Sequence, residues 1–570
     1  MPKRHTLYKQ PSMERTRSSL IPITLLTLTY VLLVFLLFSF KQYPLDDDWS
    51  YVRAAEVFHN TGQIRFTDWT AMSLLFQLWL GTGFTLLFGY SIELLRLSTL
   101  FISLIGLIFF YFLLREVGLK WHLSLLALSL FLFNPLSFPL LFTFFSDHHF
   151  ISLLVVSTFL YYKAFIDNNN TYLLLGSLSS SCAILVRQNG ILIPVSVIIC
   201  LMVRQLSLKT FLWKAAVASF LPLITIILFN YWLSNVHGIP SEMARQTTAL
   251  VNRLAKPQLF LSGIVSRTVV ILEFVGFSLI PLSLSMMSRL KMNGISRRAI
   301  IVLLCSVGLI YILLETFDIR TTSYLLLKGF PYAFLSEYGV REVPGYLHVV
   351  AAVGTVLSVT SMLYIVFLIF SAGLSIHDYM FLRSPVVVIS VIGGTQLLTL
   401  FFGPQWIPRY SLVLLPFFIL LALVIGNRVK INQTLFIIFL IPYFLSSFAI
   451  TQDFMNWNQT KWKCADELLK KKNLRPNEIS AGFAWDCWHN WFYSHEHQSK
   501  VVDGRYEIPW WIRKLVPVVE PRYLISNTPK PTRHDGWIYY QGDEWRAIHV
   551  VQYFSAFYAR KMNIFVLEKE

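Results

Sequence analysis

Long uncharged apolar runs constrain the fold of this chain more than any other feature. The first, from Leu20 to Phe40, has 21 residues without a charged side chain, and further long runs follow. As an α-helix this run would be roughly 32 Å long, which is enough to cross a bilayer. No small-residue cleavage site follows it, so we expect a permanent span and not a secretory signal. With 55% hydrophobic and only 14% charged residues, the chain is predicted to be a polytopic membrane protein.

The basic residues are spread over short segments between the apolar runs. Five of them precede the first run, in residues 1–19, and others fall in the short loops further along the chain. This positive-inside pattern predicts a basic cytoplasmic N-terminus. The net charge of +17 is therefore a topology signal, and we expect membrane lipids and no nucleic acid as partners.

The apolar pattern predicts a mainly α-helical transmembrane bundle of about 13 spans over residues 20–451, with a first outer loop at 41–90. The predicted spans are 20–40, 91–114, 121–143, 148–166, 171–186, 190–204, 215–235, 263–288, 299–315, 346–371, 386–402, 410–426 and 433–451. Within the first outer loop, the apolar but glycine-broken segment 70–90 is expected to form an interfacial or re-entrant helix pair.

Residues 452–570 have an ordinary soluble composition and are predicted to form a small α/β domain. A helix-like stretch, WKCADELLKKKNLRP, precedes five strand-like runs: EISAGFAW, RYLISN, WIYYQ, AIHVVQYF and NIFVLE. An odd number of spans after a cytoplasmic N-terminus would place this domain on the extracytoplasmic side.

Three consecutive aspartates, Asp46, Asp47 and Asp48, follow the first apolar run, and Trp49 and Tyr51 come directly after them. A carboxylate at the bilayer centre costs about 2.5–3.5 kcal/mol. We therefore expect the triplet at the outer interface or in a wet cavity. On the triplet alone, a solvated boundary after the first span explains the acids as well as a reactive site does.

Three further polar clusters fall on the same predicted outer face. They are Asp147, His148 and His149 in FFSDHHF, Arg187 and Gln188 in RQNG, and Arg409 and Tyr410 in GPQWIPRYS. A carboxylate beside two imidazoles could bind a metal ion or hold a phosphate, although adjacent histidines seldom ligate one ion. Each arginine alone could be a snorkelling anchor, but arginine also clamps phosphates with two parallel bonds. Four clusters on one face favour a reaction between a lipid phosphate ester and a hydroxyl or amine.

The segment DDWSY resembles the acidic motif of the GT-C glycosyltransferases, in particular the protein O-mannosyltransferase-like and aminoarabinose-transferase-like enzymes. Asp47 stands at the family's Asp position, Asp48 in place of its Glu, and Tyr51 at its Tyr position. An Arg-Tyr pair before a proline-containing late span is matched by Arg409 and Tyr410. The resemblance covers most of residues 15–450, although its individual motifs are short.

The resemblance implies an inverting glycosyltransferase that moves a sugar from a polyprenyl-phosphate donor to a glycan, lipid or protein acceptor at the outer membrane face. Asp47 would act as general base and Arg409 would stabilise the departing lipid phosphate, while Asp147 matches the family's second acidic position. A glutamate motif that can contribute to a metal site in aminoarabinose transferases is replaced here by DWTAMSLL, so a divalent metal is not required by the sequence. The tail resembles that of bacterial members, which implies a bacterial inner (plasma) membrane.

Two other functions stay open. A multipass transporter or lipid flippase without transferase activity would use the same spans and arginines, but transport sites usually lie near the bilayer midplane. The predicted mid-span regions here are nearly uncharged. An inactive scaffold would instead use the tryptophan-rich C-terminal domain to bind a partner. The concentration of charge at one face favours surface chemistry over both.

Overall fold

The computed structural model describes residues 14–37, 42–204, 206–288, 308, 345–371, 386–403, 408–426, 431–497, 509–529 and 544–570. The predicted span at 299–315, apart from Gly308, lies outside the described residues, as do the basic loop before it and the strand-like run WIYYQ.

The described chain is mainly helical, with a small sheet at its C-terminal end. The helices are α1 Glu14–Leu37, α2 Asp48–Thr61, α3 Leu75–Phe88, α4 Ile92–Glu116, α5 Trp121–Leu132, α6 Ser146–Asp167, α7 Asn170–Val186, α8 Leu192–Val203, α9 Leu208–Trp232, α10 Ser241–Ala255, α11 Pro257–Met287, α12 Gly345–Ser371, α13 Val386–Phe402, α14 Leu415–Gly426, α15 Gln433–Lys472, α16 Phe483–Glu496 and α17 Trp510–Lys514. The strands are β1 Ile479–Ser480, β2 Tyr523–Ser526, β3 Trp545–Ser555 and β4 Arg560–Lys569.

Most helices of the N-terminal three quarters are apolar, as the sequence predicted, and α2 and α10 are the polar exceptions among those described. Within the described ranges, four stretches are long and apolar enough to cross a membrane: Ile92–Glu116, Ser146–Asp167, Leu208–His237 and Gln433–Lys472. Nine shorter apolar helical stretches of 10–17 residues accompany them in the described part of the chain. The protein is therefore a multi-pass membrane protein, while the number of about 13 spans stays a prediction.

The segment predicted to be the first outer loop, residues 41–90, contains a helix that the apolar pattern did not indicate. Helix α2 begins right after Asp47, carries Asp48 in its first turn, and ends at Gly62, whose φ of 70° is left-handed. The expected helix pair at 70–90 is one continuous helix, α3. Gly81 does not break it: a Cβ there would lie 2.8 Å from Phe144, so this glycine permits close packing inside a helix.

The C-terminal part is a four-stranded sheet packed with helices. The strand order is β1-β2-β4-β3, with β1 parallel to β2 and the other two pairings antiparallel. Helix α15 runs without interruption across the predicted boundary at residue 451. The run EISAGFAW is only partly strand, because Gly482, at a φ of 95°, turns the chain into α16.

The C-terminal domain packs directly on α2. The guanidinium of Arg53 lies 3.6 Å from the ring centroid of Trp488 and also donates to that residue's carbonyl. The ring of Trp49 meets Phe483 edge to face, with centroids 6.2 Å apart. The segment that carries the three aspartates is therefore held from both sides, by the apolar helices and by the C-terminal domain.

Candidate functional site

Four charged side chains from distant parts of the sequence form one cluster. Arg409 Nη2 donates to Asp47 Oδ2 over 2.7 Å, and Arg187 Nη2 lies 2.9 Å from Asp147 Oδ1. Arg409 Nε lies 4.0 Å from Asp147 Oδ2 and so links the two pairs. The charges alternate and cancel, and we call these four residues the charge cluster.

Each member of the charge cluster lies at or near the end of a helix or in a short 3₁₀ turn. Asp47 is the residue before α2, and Asp147 lies in the first turn of α6. The positive end of a helix dipole favours carboxylates at both places. Arg187 follows the last residue of α7, and Arg409 lies in the 3₁₀ turn Pro408–Leu414.

Asp47 is the member most accessible from outside. Its side chain is 17% exposed, against 3% for Asp147, 5% for Arg409 and 8% for Arg187. Its second oxygen, Oδ1, accepts a 2.9 Å hydrogen bond from the indole Nε1–H of Trp69. Of the two carboxylates in the charge cluster, Asp47 is thus the one that an incoming substrate would reach first.

Arg409 keeps unused hydrogen-bonding capacity. Its Nη1 and Nε make no hydrogen bond to any residue that the structure describes, although both atoms are buried. The guanidinium carbon lies 4.5 Å from the ring centroid of Phe145, which shields the group from water. A buried donor without an acceptor raises the free energy of the folded protein, so an anion that accepts from these two nitrogens would be bound favourably.

Arg187 makes more contacts than Arg409 through its Nε and Nη2. Its Nε and Nη2 both donate to Ser146 Oγ, over 3.0 and 2.9 Å, in addition to the ion pair with Asp147. The ring of Tyr410 lies between the two arginines, with its centroid 5.9 Å from the Cζ of Arg187 and 6.0 Å from that of Arg409. The Arg187–Asp147 pair therefore holds Asp147 in place beside Arg409.

Tyr51 and Asp48 lie buried on α2, beside the charge cluster. Burial raises the pKa of Tyr51 far above its ordinary value, so its phenol stays protonated. Both oxygens of Asp48 accept backbone N–H bonds, one from Leu45 and one from Phe144 at 3.1 Å. Burial raises the pKa of Asp48 to about 6, against the opposing effect of Arg96. Asp48 therefore ties α2 to the segment before α6, and its side chain is fully buried.

The two histidines and the glutamine do not join the charge cluster. The ring of His148 lies 2.9 Å from the carbonyl of Ser137, and that of His149 lies 3.2 Å from the carbonyl of Phe145. The amide of Gln188 donates to the sulfur of Met243, on α10. Their adjacency in sequence to Asp147 and Arg187 did not bring these side chains to the same place, because neighbours on a helix or turn point in different directions.

The charge cluster does not have the character of a metal site. Across the described ranges, no three His, Cys, Asp or Glu side chains come together as a ligand set for an ion. Asp47 and Asp147 each face a guanidinium, so the oxygens that a divalent cation would need already have cationic partners. The described residues therefore do not fit a divalent metal here.

Sequence reasoning missed Trp69 and Ser146. Both touch the charge cluster, Trp69 through Asp47 and Ser146 through Arg187. Ser146 was adjacent to a predicted acid and could have been included with it. No local signal marks Trp69, which looks like one of several interfacial aromatics.

No protein-family model matches the chain, and no curated protein matches it either. Among the solved structures that are similar to it are those of two proteins. One is the archaeal oligosaccharyltransferase AglB from Archaeoglobus fulgidus, in complex with an inhibitory peptide and a dolichol-phosphate, at 13% identity and a TM-score of 0.43. That alignment covers 88% of this chain and 64% of AglB, so the chain spans less than two thirds of that protein's length.

The other is ArnT from Cupriavidus metallidurans. In its apo state it is 12% identical, with a TM-score of 0.38, and the alignment covers 97% of this chain and 98% of ArnT. The same protein bound to undecaprenyl phosphate is 12% identical, with a TM-score of 0.37 and coverage of 96% and 97%.

Proposed function

We propose that the protein is an inverting glycosyltransferase that moves a sugar from a polyprenyl-phosphate donor to a hydroxyl- or amine-bearing acceptor. One observation carries this proposal: Arg409 donates to the partly exposed carboxylate of Asp47 through Nη2, while its buried Nε and Nη1 have no acceptor among the described residues. In this pair Asp47 can act as a base and Arg409 can bind a phosphate. Each becomes available when their mutual hydrogen bond breaks.

The donor phosphate is the ligand that best suits Arg409. The phosphate oxygens would accept the N–H groups of Nη1 and Nε, which donate to none of the described residues. The charge cluster is neutral as it stands, so an added phosphate would compete with Asp47 for Arg409. During transfer the sugar–phosphate bond breaks and its electron pair goes to the phosphate. The negative charge that develops there is stabilised by Arg409.

Asp47 then takes the proton. When Arg409 turns to the phosphate, Asp47 Oδ2 loses its 2.7 Å partner and becomes free to accept the acceptor's proton. The acceptor oxygen or nitrogen attacks the anomeric carbon from the face opposite to the phosphate, which inverts the configuration. Asp147, held by Arg187, keeps its negative charge and orients Arg409 from behind.

The contact between Arg409 and Asp47 favours a transferase over a transporter. A transporter or flippase would use Arg409 to hold a lipid phosphate, but it would not need a carboxylate that becomes free when the phosphate binds. An inactive scaffold would need neither.

The test is transfer by the purified protein from synthetic undecaprenyl-phosphate sugars, with hexose and pentose donors, to a cell-envelope extract. We expect a radiolabelled product from one donor with the wild type and a loss of about 10²–10⁴-fold with Asp47→Asn. Asp46→Asn is the matched control, because Asp46 has a φ of 49°, a conformation that asparagine tolerates well. Full turnover by Asp47→Asn would refute the proposal.

The charge cluster and residues 452–570 are proposed to face the extracytoplasmic side of a bacterial inner membrane. Support comes from the basic N-terminus and from the contacts between α2 and the C-terminal domain, which require both to share one side. An alkaline phosphatase fused to the C-terminus should be active, and a fluorescent protein that matures only in the cytoplasm should stay dark there. The reverse pattern would refute this orientation.

A further inference from the structure

The loop between α2 and α3 connects Asp47 to the C-terminal domain through one tryptophan. The indole Nε1–H of Trp69 donates to Asp47 Oδ1 over 2.9 Å. The ring of Trp69 lies against Trp510, with centroids 5.0 Å apart, and meets Phe483 edge to face at 5.6 Å. A single side chain therefore contacts both the exposed carboxylate and the aromatic surface of α16 and α17.

We propose that Trp69 is a positioning residue for Asp47, and that the C-terminal domain contributes to catalysis by fixing the ring of Trp69. This inference rests on the proposed function, in which Asp47 is the general base. Trp69 selects the atom that acts: with Oδ1 held by the indole, Oδ2 is the oxygen left to receive the proton.

Asp47 needs a positioning residue because it loses its hydrogen bond from Arg409 when the donor phosphate binds. Before the donor binds, the two oxygens of Asp47 are held by Arg409 and Trp69. Once the phosphate takes Arg409, the hydrogen bond from Trp69 is the remaining one of these two contacts. The terminal torsion of an aspartate is broad, so an unheld carboxylate would rotate. A base has to stay within about 2.6–3.2 Å of the proton that it takes.

The chemistry of the indole suits this role. Its N–H is a donor only, so Trp69 cannot compete with Asp47 for the proton that leaves the acceptor. A hydroxyl or an imidazole at this position could accept that proton and divert it. A large aromatic ring also loses little conformational freedom when it is clamped.

The backbone beside Trp69 is anchored independently. The carboxylate of Asp68 pairs with His495 of α16. The carbonyl of Asp68 accepts the backbone N–H of Glu242 over 3.0 Å and the hydroxyl of Ser241 over 3.3 Å. The loop is thus attached to the C-terminal domain and to the start of α10, and the indole cannot follow the carboxylate if the latter moves.

The test replaces Trp69 by phenylalanine, which keeps a smaller aromatic ring beside Trp510 and Phe483 and removes the indole donor. We expect kcat to fall about 10- to 100-fold, the effect of one hydrogen bond to a charged group, with the donor KM and the melting temperature unchanged. Trp457→Phe is the matched control. It removes an indole bond of 2.8 Å to Asn527, away from the charge cluster, and should leave kcat as in the wild type.

A double variant separates positioning from structure. If Trp69 acts through Asp47, Trp69→Phe should cost nothing further in the Asp47→Asn background. A full additional loss in that background, or a Trp69→Phe protein whose donor KM rises while kcat is kept, would overturn the inference. So would unchanged kinetics of Trp69→Phe alongside an inactive Asp47→Asn, and that result would leave the proposed function standing. An active Asp47→Asn would instead refute the proposed function itself.

Discussion

Replacing Asp47 by asparagine should change turnover and lipid-phosphate binding in opposite directions. Asparagine has the same shape, and its oxygen can still accept the indole N–H of Trp69. Its amide group would then face Arg409 Nη2, where the carboxylate oxygen now lies 2.7 Å away. Two donors would meet, so Arg409 would lose its partner and be available to a phosphate from the start.

The size of the effect on binding follows from the bond that is lost. A charge-assisted hydrogen bond contributes about 1.5–3 kcal/mol, and a phosphate that binds the wild type has to displace it. Removing the competitor should therefore tighten binding by at least about 10-fold, up to about 100-fold if the whole contribution is recovered. Turnover should fall by about 10²–10⁴-fold over the same substitution, because the base is gone.

The assay is titration of the detergent-solubilised protein with undecaprenyl phosphate, which lacks the sugar and so reports binding without reaction. The wild type and Asp47→Asn are compared at one ionic strength, because charge interactions depend on salt. Asp46→Asn controls for the loss of one negative charge beside the charge cluster. Weaker binding by Asp47→Asn than by the wild type would refute the idea that Asp47 and the phosphate share Arg409.

Three further outcomes are expected. Arg409→Lys keeps the charge but loses the planar fork, so turnover should fall about 10- to 100-fold in a transfer assay while the protein stays folded. Bonding to Asp68 raises the pKa of His495 and lowers that of Asp68. The stabilisation by their pair should be full between about pH 4 and 6.5 and fade as the pH rises above this, so that His495→Gln lowers the melting temperature at pH 6 but not at high pH. Gly276→Ala would place a Cβ 2.0 Å from a backbone carbonyl and should cost about 1–3 kcal/mol in detergent unfolding, whereas Gly394→Ala meets nothing within 4 Å and should not destabilise.

The sequence by itself determined the class of the protein and the segments that carry its charge. Apolar runs form helices through local contacts, so α4 and α6 could be placed within a few residues of their observed bounds. The predicted spans 215–235 and 433–451 were less accurate, because α9 begins at Leu208 and α15 continues to Lys472. Turn residues and acids stand out between such runs for the same local reason. The segments of Asp47, Asp147, Arg187 and Arg409 were accordingly all identified before their contacts were known.

Only the tertiary structure decided which of these side chains act together. Asp47 and Arg409 are 362 residues apart, and their 2.7 Å contact depends on how the helices between them pack. The same packing turned Asp48 toward backbone amides and His148 toward a carbonyl, although both lie beside members of the charge cluster in sequence. It also brought Trp69 to Asp47 from a loop without any distinguishing motif. Hydrophobic periodicity is encoded locally, whereas the direction of a buried polar side chain is set by whichever distant groups complete its hydrogen bonds.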